Sequence, residues 1–392
     1  MLSAELSTVI DETVDKERSA LAKLSRDIHA NPELRFQEHK AASWIAELLR
    51  SRGFEVEHGL ADMPTALRAR RGKADGPKVA ILGEYDALPD IGHACGHNLI
   101  ATSAVGAFLA AAAVVDRADG EVLFLGTPAE EGGGGKIKMI DAGVFDGLDA
   151  ALMFHPFDRD MLAHTALASM WLAMTFKGAP AHAAAAPHDG KSALQACMDT
   201  FRLIDGQRVR FRDGVRVHGY ITNGGQAVNI IPELASCEFS VRARDTTELA
   251  RVRGIVERCA QAAALASEVT VEIVVRQGYR DMRNNMTMAR AFGEHLGALG
   301  RSAPETDPRV GAGSTDMGDV SHVVPSIHPY LAIVDENVAL CHQHAFAHAA
   351  ASDRGFVTAI EAAKALARTA VELLTDERLR AAARAEWIES RA

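Results

Sequence analysis

Gly83-Glu84-Tyr85-Asp86-Ala87-Leu88-Pro89 leads, after Asp90-Ile91, into Gly92-His93-Ala94-Cys95-Gly96-His97-Asn98. The run Val79-Ala80-Ile81-Leu82 before it is short, apolar and bounded by Pro77 and Gly83, so it reads as a buried strand. Polar groups therefore gather where a strand ends. In open α/β sheets ligands bind beyond the carboxyl ends of the strands, and a thiol and an imidazole on a glycine-hinged loop can both turn onto one ion. Taken alone, Cys95 and His97 read more readily as a buried thiol and a hydrogen-bonded loop histidine than as ligands. Their company favours a metal site: Glu130-Glu131 and His155 each close another apolar run, and Cys341-His342-Gln343-His344 follows near the C-terminus.

Outward from that stretch, helices are predicted over residues 6–29, 37–52 and 99–115, with short edge strands at 54–56 and 66–69. The strand 122–125 breaks at Gly126-Thr127-Pro128 and delivers Glu130 and Glu131, and the strand 150–154 ends on His155-Pro156. Gly132-Gly133-Gly134-Gly135-Lys136 lacks the spacing of a phosphate loop and the Ser or Thr after its lysine. Those glycines are expected to let the backbone pass close to a crowded site before a helix at 137–142.

Around Ala168 the pattern changes. Strands at 170–176, 215–222, 237–243 and 269–275 alternate with helices at 192–204 and 247–264, giving the βαββαβ order of a ferredoxin-like unit. After Arg283 come a helix at 286–299, a loop at 311–319, a strand at 327–334 and a long helix at 353–374. The expected architecture is α/β. A mainly parallel central sheet belongs to a domain of residues 1–167 and 284–392, with residues 168–283 inserted as a smaller domain.

A chain of 392 residues suits two cores. The formal charge of −10, without basic tracts, argues against a nucleic-acid partner. Cys95, Cys197, Cys237, Cys259 and Cys341 show no paired spacing, which fits a reducing compartment, and Cys197, Cys237 and Cys259 read as core. The first fifteen residues lack a signal-peptide pattern, and the apolar run 103–115 is too short to span a bilayer. A cytoplasmic protein without membrane partners is expected.

Thiolate, imidazole and carboxylate ligands suit zinc, manganese, cobalt or nickel better than calcium or magnesium. Two ions are chemically reasonable, and adjacent glutamates would divide the labour between ligand and base. Asp86 ends the apolar run 79–82 and reads, on its position alone, as a member of the site or as a loop cap.

The ordered motifs, from Arg26-Asp27-Ile28-His29-Ala30-Asn31-Pro32-Glu33 through His93-Ala94-Cys95-Gly96-His97 to His342-Gln343-His344-Ala345-Phe346, resemble a family of dinuclear-metal amidohydrolases. That family includes aminoacylases, carboxypeptidase G, hippurate hydrolase and the auxin-conjugate hydrolases of plants. The resemblance implies a zinc-peptidase-like catalytic domain, an inserted dimerisation domain and two divalent ions. It makes Cys95, His97, Glu131, His155 and His342 the ligands, with Cys95 as bridge, Glu130 the general base and Asp86 the carboxylate that orients a histidine. His182 would reach the partner subunit's site to stabilise the oxyanion, and Asn229 and Arg242 would hold the oxyanion or a substrate carboxylate. His188, His322, His328 and His348 are left as structural.

Glu84-Tyr85-Asp86, Gly96-His97-Asn98 and Gly313-Ser314-Thr315-Asp316-Met317 depart from the commoner family patterns and resemble aminobenzoyl-glutamate hydrolases and β-alanyl dipeptidases. The expected activity is hydrolysis of the amide of an N-acyl amino acid, an aryl-amide conjugate or a dipeptide, by a homodimer. Hydrolytic deamination of an aromatic amine at the same centre is the nearer rival, and a non-catalytic metal-binding scaffold the farther one.

Overall fold

The structure is a computed structural model that describes residues 2–276 and 278–391. Its strands are β1 (Val56–His58), β2 (Leu67–Gly72), β3 (Lys78–Gly83), β4 (Glu121–Gly126), β5 (Ala150–Leu152), β6 (His155–Phe157), β7 (Ala168–Lys177), β8 (Arg216–Asn223), β9 (Leu234–Ala243), β10 (Thr270–Arg276), β11 (Ser326–Ile327) and β12 (Tyr330–Ala332). The chain divides into two compact units. One runs through Thr165, includes Met282–Ala312 and continues from Asp316; the other is Ala166–Asp281 with Gly313–Thr315.

In the larger unit a six-stranded sheet has the order β1-β2-β4-β3-β5-β11. The pairs β3–β4, β3–β5 and β5–β11 are parallel, while β1 and β2 join as antiparallel edge strands. Residues 79–83 of β3 and all of β4 are buried, as the apolar runs require of strands covered on both faces. The helix His97–Ala112 is buried along its whole length and packs between Ala4–Ala30 and Asp353–Thr375. Its small residues allow that approach: a Cβ on Gly106 would stand 3.0 Å from Leu21 Cδ1 and 3.3 Å from Ala363 Cβ. Among the described residues no helix is long and apolar enough to cross a membrane.

The strand expected at 327–334 is two strands. β11 pairs with β5, whereas β12 pairs with β6 in a separate two-stranded ribbon, and His328-Pro329 lies between them. Pro329 has no N–H for a ladder, so the strand breaks there. On the facing segment the chain leaves the main sheet at Met153-Phe154, so His155 opens a strand of its own. The loop expected at 311–319 ends early in a short helix, Met317–Ser321, and two further helices, His344–Ala350 and Glu377–Glu389, were not expected from the sequence. The second starts where Asp376 accepts hydrogen bonds from the N–H groups of Arg378 and Leu379.

In the smaller unit the elements run strand, helix, strand, strand, helix, strand, and the sheet order is β10-β7-β9-β8 with every pair antiparallel. From Ala235 onward β9 alternates buried and half-buried residues, placing Cys237, Phe239 and Val241 against the helices Ala193–Gln207 and Thr246–Ala266. Cys197 and Cys259 lie in the same core. Gly313–Thr315 joins this unit because Leu167 donates its N–H to the Gly313 carbonyl at 2.8 Å and Ser314 Oγ donates to the Leu167 carbonyl at 2.9 Å.

Candidate metal centre

Asp86, just beyond β3, ties together three segments of the larger unit. Its Oδ1 lies 3.0 Å from His97 Nδ1, and its Oδ2 accepts the Glu131 N–H at 2.9 Å. One buried carboxylate thus sets the loop after β3, the start of the helix at His97 and the segment after β4. Gly96 precedes that helix in the left-handed region, with φ 79°, and a Cβ there would meet Pro156 Cγ at 2.5 Å. The glycine run after Glu131 is equally tight, since a Cβ on Gly135 would fall 1.8 Å from the Pro128 carbonyl oxygen.

His155 Nδ1 donates to the Pro156 carbonyl at 2.7 Å, leaving the Nε2 lone pair toward Cys95 Sγ at 3.4 Å. Its ring stacks on Tyr330 at 4.8 Å and meets His328 edge-on at 5.4 Å. Two donor groups result, and Cys95 belongs to both. The donor atoms of Cys95, His97 and Glu131 lie within 4.8 Å of one another, as do those of Cys95, His155 and Cys341.

These residues fit divalent ions. His97 Nε2 and Glu131 Oε1 are buried without a well-aligned hydrogen bond, facing Glu84 Oε2 at 3.5 Å and His342 Nε2 at 3.2 Å, and coordination would satisfy both. A shared thiol with imidazole and carboxylate neighbours is also the donor chemistry of zinc, manganese, cobalt and nickel. His342 also reaches this site, with its ring hydrogen-bonded to Cys95 and Glu131. Its Nε2 lies 3.2 Å from Glu131 Oε1, but it belongs to neither donor group, and its side chain is half exposed. Its N–H donates to the Ala94 carbonyl at 2.9 Å, and its φ of 68° is uncommon for a residue other than glycine. Ala129, beside Glu130, shares that conformation with φ 61°. Strained backbone thus flanks the site on two sides.

Charge in the site is strongly redistributed. Burial opposes protonation of His97, yet Asp86 overcomes it and holds the imidazole well above its usual range. Burial pushes His155 down to about 3. Hydrogen bonding to Cys95 and Glu131 pushes His342 up to about 10. Ion binding would displace the protons held on His97 and His342. Burial, reinforced by Glu84, Glu131 and Asp316, pushes the Glu130 carboxyl well above the ordinary carboxylate range.

Glu84, Glu130 and Asp316 bring their oxygens within 4.8 Å of one another. A fully buried ammonium answers them: Lys136 Nζ donates to Glu84 and, at 2.7 Å, to Asp316 Oδ1, while its N–H donates to Asp316 Oδ2 at 3.1 Å. Burial alone would deprotonate Lys136, but Asp316 and Glu84 hold its pKa above the ordinary lysine value. The sequence reading missed this group. Its signal was a lysine that failed as a phosphate ligand yet stood beside the Glu130-Glu131 motif.

The remaining candidates lie in the smaller unit. His182 Nδ1 accepts the N–H groups of Ala184 and Ala185 at 3.3 and 3.2 Å, so the neutral ring carries its proton on an exposed Nε2. Asn229 is on the segment paired with it, and its carbonyl accepts the Ala183 N–H at 3.0 Å. Arg242 is half-buried on β9, opposite Ser169 and Arg216.

Residues 80–370 match the model of "Peptidase family M20/M25/M40". The chain is 38% identical over 384 residues to the Xaa-Arg dipeptidase of Mus musculus, covering 93% of this chain and 88% of that protein. It is 34% identical over 317 residues to one of the subunits of the p-aminobenzoyl-glutamate hydrolase of Escherichia coli (strain K12), covering 76% of this chain and 66% of that protein. The fold matches a crystal structure from Bacillus subtilis, described as a dinuclear metal binding peptidase, with a TM-score of 0.71 at 23% identity over 92% of this chain and 100% of that one.

Proposed function

The chain belongs to peptidase family M20/M25/M40 and is a metal-dependent hydrolase of amide bonds, and from that premise we propose that it is a dipeptidase whose two-ion centre is bridged by Cys95. The observation that carries this reading is the pair of donor groups sharing Cys95 beside the buried Glu130. Similarity to the mouse enzyme favours a dipeptide, and similarity to the Escherichia coli hydrolase supports p-aminobenzoyl-glutamate as the second reading.

His97 and Glu131 would hold one ion with Cys95, His155 would share Cys95 toward the other, and His342 would close the centre on the Glu131 side. When bound, manganese, zinc, cobalt or nickel supplies Lewis acidity toward the scissile carbonyl and brings the pKa of water toward neutrality. Asp86 fixes the His97 ring through Nδ1, leaving Nε2 as the donor. Glu130 accepts the proton of the attacking water on its carboxylate and returns it to the departing amine, a shuttle suited to a raised pKa. By the resemblance, His182 would reach the partner subunit's site and donate from Nε2–H to the oxyanion there, while Asn229 and Arg242 would hold the oxyanion or a substrate carboxylate.

The smaller unit is a ferredoxin-like dimerisation domain in this reading. Its edge strand β8 leaves Tyr220 and Ile221 exposed, an unpaired edge that a second copy can extend. A homodimer with a small amide substrate in the cytoplasm completes the proposal.

Asp86→Asn keeps the shape of the side chain but removes the charge facing His97. Metal affinity is expected to fall roughly 10–100-fold, measured by chelator competition, with thermal unfolding little changed. The function itself is tested by kinetics and product mass spectrometry on dipeptides, N-acyl amino acids, p-aminobenzoyl-glutamate and aromatic amines. Dipeptides are expected to give the highest kcat/KM. Preference for p-aminobenzoyl-glutamate would install the second reading, ammonia release from an aromatic amine would replace hydrolysis by deamination, and silence of metal-loaded protein would leave a scaffold.

A further inference from the structure

We propose that Cys341 is a metal ligand: with Cys95 and His155 it forms a thiolate-rich position that prefers zinc or cobalt, while Cys95, His97 and Glu131 form a harder one that accepts manganese. The inference rests on the reading of Cys95 as bridge and adds a donor that the family resemblance did not supply.

The geometry distinguishes Cys341 from its neighbour. Its Sγ and the donor atoms of Cys95 and His155 lie within 4.8 Å of one another, whereas the His342 ring hydrogen-bonds Cys95 and Glu131, with Nε2 3.2 Å from Glu131 Oε1. Cys341 Sγ is also 4.0 Å from the Pro156 carbonyl, the group that orients the His155 ring. The backbone holds this arrangement. The bond from the His342 N–H to the Ala94 carbonyl, 2.9 Å, fastens residues 341–342 to the loop that carries Cys95. Donors on one tetrahedral zinc, at Zn–S about 2.3 Å and Zn–N about 2.0 Å, stand roughly 3.5 Å apart. Cys95 Sγ and His155 Nε2 are separated by 3.4 Å.

The donor sets then differ in kind. Two thiolates and an imidazole are soft, and soft sets select zinc or cobalt; one thiolate, an imidazole and a carboxylate leave room for manganese. The two ions are therefore not interchangeable. One position is filled by zinc even when manganese competes, and the other exchanges.

The test uses the full chain, kept reduced so that thiols stay available, stripped with chelator and reloaded with zinc. X-ray absorption should find three zinc–sulfur contacts for every two zinc ions in the wild type and two in Cys341→Ser. Reloading with one equivalent of zinc and one of manganese per chain should leave zinc in the soft position and manganese in the other, one of each per wild-type chain. In Cys341→Ser the zinc preference of the soft position should drop by roughly tenfold or more. Two zinc–sulfur contacts in both proteins, with unchanged zinc-to-manganese ratios, would overturn the role of Cys341 alone. A wild type that binds no zinc would overturn the Cys95 bridge and this inference together.

Discussion

Glu130→Gln is expected to lower kcat by roughly 10²–10⁴-fold, the usual contribution of a positioned acid–base group, while the bound metal stays the same. The amide fills the same volume and can donate a hydrogen bond, but it cannot take a proton from water and return it to an amine. Retention of metal follows from the architecture: the two donor groups built on Cys95 use Glu131, His97, His155 and Cys341, and Glu130 is in neither. The environment of Glu130 supports the assignment, because burial and three neighbouring carboxylates all disfavour its charged form. The check is steady-state turnover beside metal analysis of the same sample. Turnover within tenfold of the wild type would remove Glu130 from the proton path, and a parallel loss of metal would make it a ligand.

Lys136→Met is expected to cost about 3–5 kcal/mol of stability, the penalty for removing one partner from a buried ion pair. Methionine is close to lysine in length and is apolar, so little volume is lost, but Glu84 and Asp316 then face each other without a cation. Both carboxylates are fully buried, and Glu84 Oε2 is already 3.5 Å from His97 Nε2. Thermal unfolding should fall by roughly 5 °C. Adding Glu84→Gln, which removes one of the two stranded charges, should recover part of the loss. A shift below about 2 °C in Lys136→Met would contradict this account of the cluster.

Much of the centre was legible because each candidate closes an apolar run. β3, β4 and β5 declare themselves by short buried stretches, and a parallel sheet carries polar groups past its strand ends. Asp86, Cys95, His97, Glu131 and His155 could therefore be named before any coordinate was known. What escaped depends on contacts made across the chain. Lys136 was weighed as a phosphate ligand, and nothing local reveals that its ammonium is buried between carboxylates 52 and 180 residues away in sequence. Cys341 entered the sequence reading only as an unpaired cysteine, and nothing local reveals that its sulfur comes to lie beside donors of Cys95 and His155. The strand at 327–334 looked continuous since periodicity does not show that Pro329 parts two ladders. For His182, Asn229 and Arg242 the roles came from resemblance, as isolated polar residues on a small domain carry no pattern of their own.

The central claim is that two ions held around Cys95 drive amide hydrolysis, and metal-dependent recovery of activity tests it most directly. Chelator-stripped protein would be titrated with manganese, cobalt or zinc while dipeptide cleavage and bound metal are measured together. The account predicts no hydrolysis without metal and recovery that reaches its plateau at two ions per chain. Full hydrolysis in stripped protein, or a plateau at a single ion, would contradict it.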